Sequence, residues 1–207
     1  MSTKKKDIFI ASAGIKLEGC IWSPYDGNES PKPEIALLLH PHPLYGGSMH
    51  DGVLSVARSV FLDKGMSVCA FNLPGVGASE GRSSGDLSET DHVLAVVEYL
   101  RNEGYQISWG VGYSYGGALL TLSLDGFGAT ARAMLIAPAL GLVNDRIASP
   151  VQLTHAIVGD KDPYASAGQI EQRLPEATVQ VIAGADHFFS GGHRELEKAI
   201  KDAVDGT

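Results

Sequence analysis

The chain has 207 residues, of which 44% are hydrophobic and 19% charged, and its formal net charge is −8. Length and composition predict one globular domain over residues 1–207, and the negative charge argues against nucleic acid as a partner. No apolar run approaches the ~20 residues of a membrane helix, and no apolar segment follows lysines 4–6 as a secretory signal requires. We therefore expect a cytoplasmic protein that does not bind membranes, while its oligomeric state is open.

The first part of the chain predicts an antiparallel hairpin followed by strands that alternate with helices. Apolar residues flank the turn Ala13-Gly14, and those after the turn alternate with polar ones, a pattern typical of a hairpin. The later apolar runs are continuous, as expected of strands covered on both faces, and a segment between them has helical spacing. The predicted elements are hairpin strands at 7–11 and 15–23, strands at 35–39 and 66–71, and a helix at 49–64.

The alternation continues to the end of the chain. A helix with Asp86 or Ser88 as its cap is expected to end at Gly104, and a buried strand, a sharp turn and a helix follow from residue 107. Such alternation predicts an α/β fold with a mostly parallel, twisted sheet and helices on both faces. Ligands in such folds bind beyond the carboxyl ends of the strands. The remaining predicted elements are strands at 131–137, 151–158 and 178–182 and helices at 165–174 and 194–204.

One turn in the middle of the chain has a pattern that carries chemistry. Gly112, Ser114 and Gly116 form a G-x-S-x-G sequence between an apolar strand and a helix. This strand-to-helix turn, the nucleophile elbow, lifts a serine out of the sheet. Glycines lie two positions before and after that serine because the two backbones approach closely there. The pattern alone is weak, since a glycine-rich turn can have the same sequence, but its context favours an elbow.

Two later loops hold the groups that such a serine needs. Asp160 and Asp162 follow the predicted strand 151–158, and Asp186 and His187 follow the strand 178–182. A serine hydroxyl becomes a good nucleophile when a histidine accepts its proton, and a carboxylate holds that imidazole in the right tautomer. The order serine, acid, histidine is the one that folds with this elbow use.

With these motifs the chain resembles the α/β-hydrolase superfamily, over nearly its whole length. It is most similar to small, lidless members with an H-P-H-P-x-Y-G-G loop, here residues 40–47, and two further shared loops at 72–81 and 186–189. The resemblance implies an α/β-hydrolase fold with Ser114 as nucleophile, His187 as general base and acid, and Asp162 as orienting carboxylate. Asp160 and Asp186 stay as rivals of Asp162.

The resemblance also implies an oxyanion hole made of backbone N–H groups. The N–H of Tyr115, the residue after the nucleophile, is one expected donor. The second comes from His42 or Leu44, because the adjacent Pro41 and Pro43 have no N–H. Tyr45, Tyr113 and Phe188 are expected to bind substrate. His40 and His42 raise the alternative of a metal site, but no further ligand spacing supports it, so neither a metal nor a cofactor is expected.

The segment 138–150 between two predicted strands is too short for a cap domain, so we expect an open site that admits water. These features favour a serine hydrolase that cleaves a small-molecule carboxylic ester or thioester through an acyl-enzyme. An amidase or peptidase would use the same three residues. A non-catalytic scaffold that binds a ligand is the alternative from another class.

Overall fold

The computed structural model describes residues 2–25, 34–143 and 154–206. Strands of these residues form one eight-stranded sheet at the centre of the fold. In chain order they are β1 (Ser2–Ser12), β2 (Ile15–Tyr25), β3 (Glu34–Leu39), β4 (Ser67–Phe71), β5 (Gln106–Tyr113), β6 (Arg132–Ile136), β7 (Thr154–Gly159) and β8 (Thr178–Ile182).

The sheet is mostly parallel, as the alternation of elements predicts. Its strand order is β1-β2-β4-β3-β5-β6-β7-β8. The β1–β2 and β2–β4 pairs are antiparallel and the remaining pairs are parallel. The predicted N-terminal hairpin is confirmed, and its turn residues Ala13 and Gly14 have φ values of 49° and 83°. Two consecutive positive φ angles suit a two-residue hairpin turn, which matches the twist of the strands.

Five helices of the described residues pack around this sheet. Helices α1 and α5 contact each other, as do α2 and α3, so that helices cover both faces. The apolar parallel strands are buried between these layers; all five residues of β4, for example, are buried. The helices are α1 (Gly52–Asp63), α2 (Thr90–Asn102), α3 (Tyr115–Ser123), α4 (Ala167–Arg173) and α5 (His193–Asp205).

Side-chain caps and polar strand residues explain where the predicted boundaries differ. Helix α1 begins at Gly52 rather than Met49, because the Asp51 carboxylate accepts a hydrogen bond from the N–H of Val53 at 2.8 Å. Asp86 caps a short 3₁₀ turn that precedes α2. β1 begins at Ser2 rather than Asp7. Its first residues are exposed and polar, so the sequence lacks the apolar alternation that would predict a strand there.

The strand order places the site. From β3 the chain passes to β4 on one side and then, through α2, to β5 on the other. The carboxyl ends of β3 and β5 therefore border the crevice where open α/β sheets bind ligands. Residues 137–153 connect β6 to β7, which leaves no room for a cap domain; the described part, 137–143, holds one 3₁₀ turn. The predicted start of β7, residues 151–153, lies outside the described residues.

Two further features concern the membrane and the cysteines. Among the described residues, no helix is long and apolar enough to cross a bilayer. Cys20 and Cys69 are buried free thiols.

Close backbone packing leaves no room for a side chain at Gly116. A Cβ at this position would lie 2.3 Å from the carbonyl oxygen of Leu39, so β3 and α3 would have to separate. We expect Gly116→Ala to lower the free energy of unfolding by about 1–3 kcal/mol in urea denaturation. Gly168→Ala in α4 is the control, because its Cβ meets nothing within 4 Å. It should stabilise the protein by up to about 1 kcal/mol, and equal losses in both variants would contradict this account.

Candidate active site

Ser114 lies at the sharp turn between β5 and α3. Its φ of 52° is in the left-handed region, which is uncommon outside glycine. The turn is held by a hydrogen bond from the Ser114 N–H to the carbonyl of Ile136 at 2.9 Å. A Cβ at Gly112 would lie 2.4 Å from the carbonyl oxygen of Gly116, so only glycine lets the strand and helix meet this closely. The turn therefore has the geometry of a nucleophile elbow and presents the Ser114 hydroxyl above the sheet.

The structure brings three predicted residues from distant parts of the chain into hydrogen-bond contact. The Oγ atom of Ser114 lies 3.0 Å from Nε2 of His187. Nδ1 of the same ring lies 2.8 Å from Oδ2 of Asp162. With the proton on Nδ1, the ring donates to the carboxylate and leaves Nε2 free to accept the serine proton.

Asp162 is the aspartate that reaches His187. Its side chain is fully buried, and its Oδ1 atom accepts hydrogen bonds from the N–H groups of Tyr164 and Ala165 at 2.8 and 3.0 Å. Asp160 instead accepts from the N–H of Gly184 at 2.6 Å. Asp186 accepts from the N–H groups of Phe188 and Ser190, at 3.1 and 2.9 Å. Both rivals therefore stabilise the loops rather than contacting the imidazole.

The loops after β7 and β8 are joined tightly, and this contact sets the position of His187. The N–H of Lys161 donates to the carbonyl of Ala185 at 3.0 Å. A Cβ at Gly159 would lie 2.2 Å from that same carbonyl oxygen. From β5, the buried hydroxyl of Tyr113 donates to the carbonyl of His187 at 3.1 Å. Tyr113, predicted to bind substrate, thus also holds the backbone of the histidine loop.

The loop after β3 turns back sharply beside Ser114. The N–H groups of Tyr45 and Gly47 both donate to the carbonyl of His42 at 3.1 Å. The N–H of Leu44 donates to Nδ1 of His42 at 3.3 Å, so this candidate for the oxyanion hole already has a partner. In the described residues, the N–H groups of His42 and Tyr115 make no such bond; that of Tyr115 is the first in α3, where no helical carbonyl is available.

His40 is a structural residue of this loop. It is 1% exposed, its Nδ1 donates to the carbonyl of Pro41 at 2.6 Å, and its Nε2 accepts from the N–H of Leu73 at 3.0 Å. Burial lowers its pKa to about 4, so the ring is neutral near pH 7. Both ring nitrogens are therefore occupied, and among the described residues no group of three or more His, Cys, Asp or Glu side chains could hold a metal ion.

Sequence reasoning missed a buried polar cluster behind the elbow. The hydroxyl of Tyr115 lies 2.7 Å from Oε2 of Glu89 and 2.5 Å from the carbonyl oxygen of Asp86. Glu89 is 3% exposed and accepts a second hydrogen bond from the N–H of Ser84 at 3.1 Å. Burial, and then Glu89, raises the pKa of Tyr115 above its usual range. The segment before α2 is thus fixed to the residue after Ser114, although no local motif marks Glu89.

A pocket of about 740 Å³ opens above Ser114 and His187. Of the predicted substrate-binding residues, Tyr45 and Phe188 line it and are exposed, whereas Tyr113 lines it and is buried. Sequence reasoning did not assign Asp51, which also lines the pocket. Burial raises the pKa of the Asp51 carboxyl, and its capping bond to Val53 opposes that shift.

Comparisons with known proteins identify the family of the chain. The model of the alpha/beta hydrolase family matches residues 36–152. An uncharacterized protein of Rickettsia prowazekii is 30% identical over 200 residues, which cover 89% of this chain and 84% of that protein. The chain therefore belongs to the alpha/beta hydrolase family.

Solved structures show the same fold. An alpha/beta serine hydrolase homologue from Coxiella burnetii is 26% identical, with a TM-score of 0.83, and the match covers 96% of this chain and 97% of that one. A Xanthomonas campestris protein described as an alpha/beta serine hydrolase without a lid has a TM-score of 0.85 at 24% identity, over 100% and 96% of the two chains. The chain thus shares the lidless fold of the Xanthomonas campestris protein.

The neutral, buried state of His40 predicts a pH dependence of stability. Its pKa is about 4 in the folded chain, against an ordinary histidine pKa of 6.5, so between these pH values the unfolded chain binds more protons. Stability should therefore fall as the pH drops from 6.5 to 4, and this residue contributes up to about 3 kcal/mol of that loss. Urea unfolding of wild type and His40→Gln at pH 7 and pH 4 measures the difference.

The control for this experiment is His50→Gln, because His50 is exposed. It should keep the wild-type pH dependence. A His40→Gln variant that loses as much stability as wild type between the two pH values would contradict the assignment.

Proposed function

We propose that this protein is a serine hydrolase that cleaves a carboxylic ester or thioester through an acyl-enzyme at Ser114. The main support is the unbroken hydrogen-bonded chain from the Ser114 hydroxyl through the His187 imidazole to the Asp162 carboxylate. The order of these residues in the sequence, and a relative of 26% identity described as a serine hydrolase homologue, support it further.

In the proposed acylation step, Nε2 of His187 takes the proton of Ser114 as Oγ attacks the carbonyl carbon of the substrate. Asp162 stabilises the imidazolium that forms and keeps its own charge. The tetrahedral intermediate then collapses, the bond to the leaving oxygen or sulfur breaks, and His187 gives its proton to that atom. The product alcohol or thiol is released, and the acyl group remains bound to Ser114.

In deacylation, His187 takes a proton from water as the water oxygen attacks the acyl carbon. The second tetrahedral intermediate then collapses: the bond from the acyl carbon to Oγ breaks, the carboxylic acid leaves, and His187 returns its proton to Oγ of Ser114. A pocket without a cap domain admits this water, which suits hydrolysis better than a reaction that needs a dry site. We propose a small-molecule substrate and a cytoplasmic location, the latter supported by the two free cysteines.

We assign the oxyanion hole to the N–H groups of Tyr115 and His42. Tyr115 begins α3, so its N–H has no helical acceptor. The N–H of Leu44 is the weaker candidate because it already donates to the side chain of His42. Such donors stabilise the charge that develops in the transition state.

Replacing Ser114 tests the nucleophile. Ser114→Ala should abolish turnover of p-nitrophenyl acetate, measured as nitrophenolate release, while the melting temperature stays close to that of wild type. Ser108→Ala, in the same strand but remote from the pocket, should keep full activity. Unchanged turnover in Ser114→Ala would end the proposal, and faster cleavage of p-nitroacetanilide than of the ester would instead favour an amidase.

The backbone of His42 allows a direct test of the second donor. Its φ of −56° and ψ of 121° suit proline, so His42→Pro removes the N–H without straining this residue. We expect kcat to fall on the order of 10²–10³-fold, as when other enzymes lose one oxyanion donor.

His42→Ala is the matched control for this prediction, since it removes the side chain but keeps the N–H group. The kcat of His42→Ala should stay close to that of wild type, well above the kcat of His42→Pro. Equal kcat values for the two variants would assign the second donor elsewhere.

A further inference from the structure

Exposed apolar side chains are concentrated at the mouth of the candidate site. Among the described residues, nine large apolar or aromatic side chains are exposed, and four of them line the pocket. One of the four is Leu142; the three aromatic side chains, here called the aromatic rim, are Tyr45, Tyr164 and Phe188. Apolar groups gathered around a cleft indicate a surface that binds an apolar partner or ligand.

The rings of the rim adjoin the two sides of the proposed catalytic chain. Tyr45 packs on His42, with the ring centres 4.7 Å apart. Tyr164 and Phe188 contact the ring of His187 edge-on, at 5.1 and 5.4 Å. A ring of the substrate would thus meet aromatic groups on the side of the oxyanion donors and on the side of the base. Offset and edge-to-face contacts of this kind favour an aromatic over a saturated ring.

The charges at the pocket point to an uncharged ligand. Of the described residues that line it, none is lysine or arginine, and Asp51 is the acidic one. Asp51 is half-buried, and its carboxylate is engaged by the N–H of Val53 at the start of α1. It is therefore a poor free partner for a cation, while it repels an anion. The net charge of −8 also disfavours approach of an anionic substrate.

We propose that the substrate is an uncharged ester that carries an aromatic ring in its acyl or alcohol part and that the aromatic rim binds this ring. This inference rests on the proposed function and narrows the substrate class of the same site. It predicts that esters without a phosphate or carboxylate are better substrates than thioesters on an anionic carrier.

Two pairs of substrates test the preference for a ring. Benzyl acetate and cyclohexylmethyl acetate place it in the alcohol part, and methyl 3-phenylpropanoate and methyl 3-cyclohexylpropanoate place it in the acyl part. The members of each pair have leaving groups of similar basicity, so the ratio of their kcat/KM values reports binding of the ring. We expect the aromatic member to be favoured by roughly 2- to 12-fold in at least one pair, the range of a single aromatic contact.

Variants of the rim connect this ratio to named side chains. Phe188→Leu and Tyr164→Leu should bring the ratio close to 1. The matched control is Phe9→Leu on β1, because Phe9 is 58% exposed and Phe188 is 63% exposed, yet Phe9 does not line the pocket. This control should keep the wild-type ratio.

A charged analogue tests the preference for an uncharged ester. The carboxylate 4-(acetoxymethyl)benzoate should have a kcat/KM at least about threefold below that of benzyl acetate at low salt, and the gap should shrink as added salt screens the charges.

Ratios near 1 in both neutral pairs, or a ratio that survives in both rim variants, would overturn the inference. If p-nitrophenyl acetate turnover still depends on Ser114, the proposed function stands; without that turnover, both fall.

Discussion

The close approach of three backbones, those of β3, β5 and α3, is the constraint on which the rest of the site depends. Gly116 lies where a Cβ would meet the carbonyl oxygen of Leu39, and Gly112 lies where one would meet the carbonyl oxygen of Gly116. Only a chain without side chains at these points can hold Ser114 at a φ of 52°. The contact also brings the loop after β3 beside the first N–H of α3. The same backbone packing therefore positions both the Ser114 hydroxyl and the proposed oxyanion donors.

Much of the fold could be predicted from the sequence because its strands and helices have strong periodicity. Continuous apolar runs such as the one in β4 indicate strands buried on both faces, and the alternation with helices gives a parallel sheet. The boundaries were less predictable, because they depend on caps and on pairing. Asp51 shortens α1 by capping it, and the polar residues at the start of β1 form a strand only through their partners in β2.

The candidate site could be predicted where the sequence has local motifs and not where distant residues meet. The elbow and the loops around Asp162 and His187 have such motifs, and the structure joins them. The contact between Glu89 and the hydroxyl of Tyr115 has none, since it depends on how α2 packs against α3. Likewise, the donors proposed by resemblance included Leu44. Only the three-dimensional position of the His42 ring shows that the N–H of Leu44 already has a partner.

The central claim is that Ser114 is a nucleophile activated by His187, and covalent labelling tests it most directly. The intact protein is incubated with a fluorophosphonate at neutral pH, and peptide mass spectrometry locates the phosphonyl group. The account predicts one phosphonyl group per chain, on Ser114, and strongly slowed labelling in His187→Ala. Labelling of a different residue, or none at Ser114 while ester turnover continues, would contradict it.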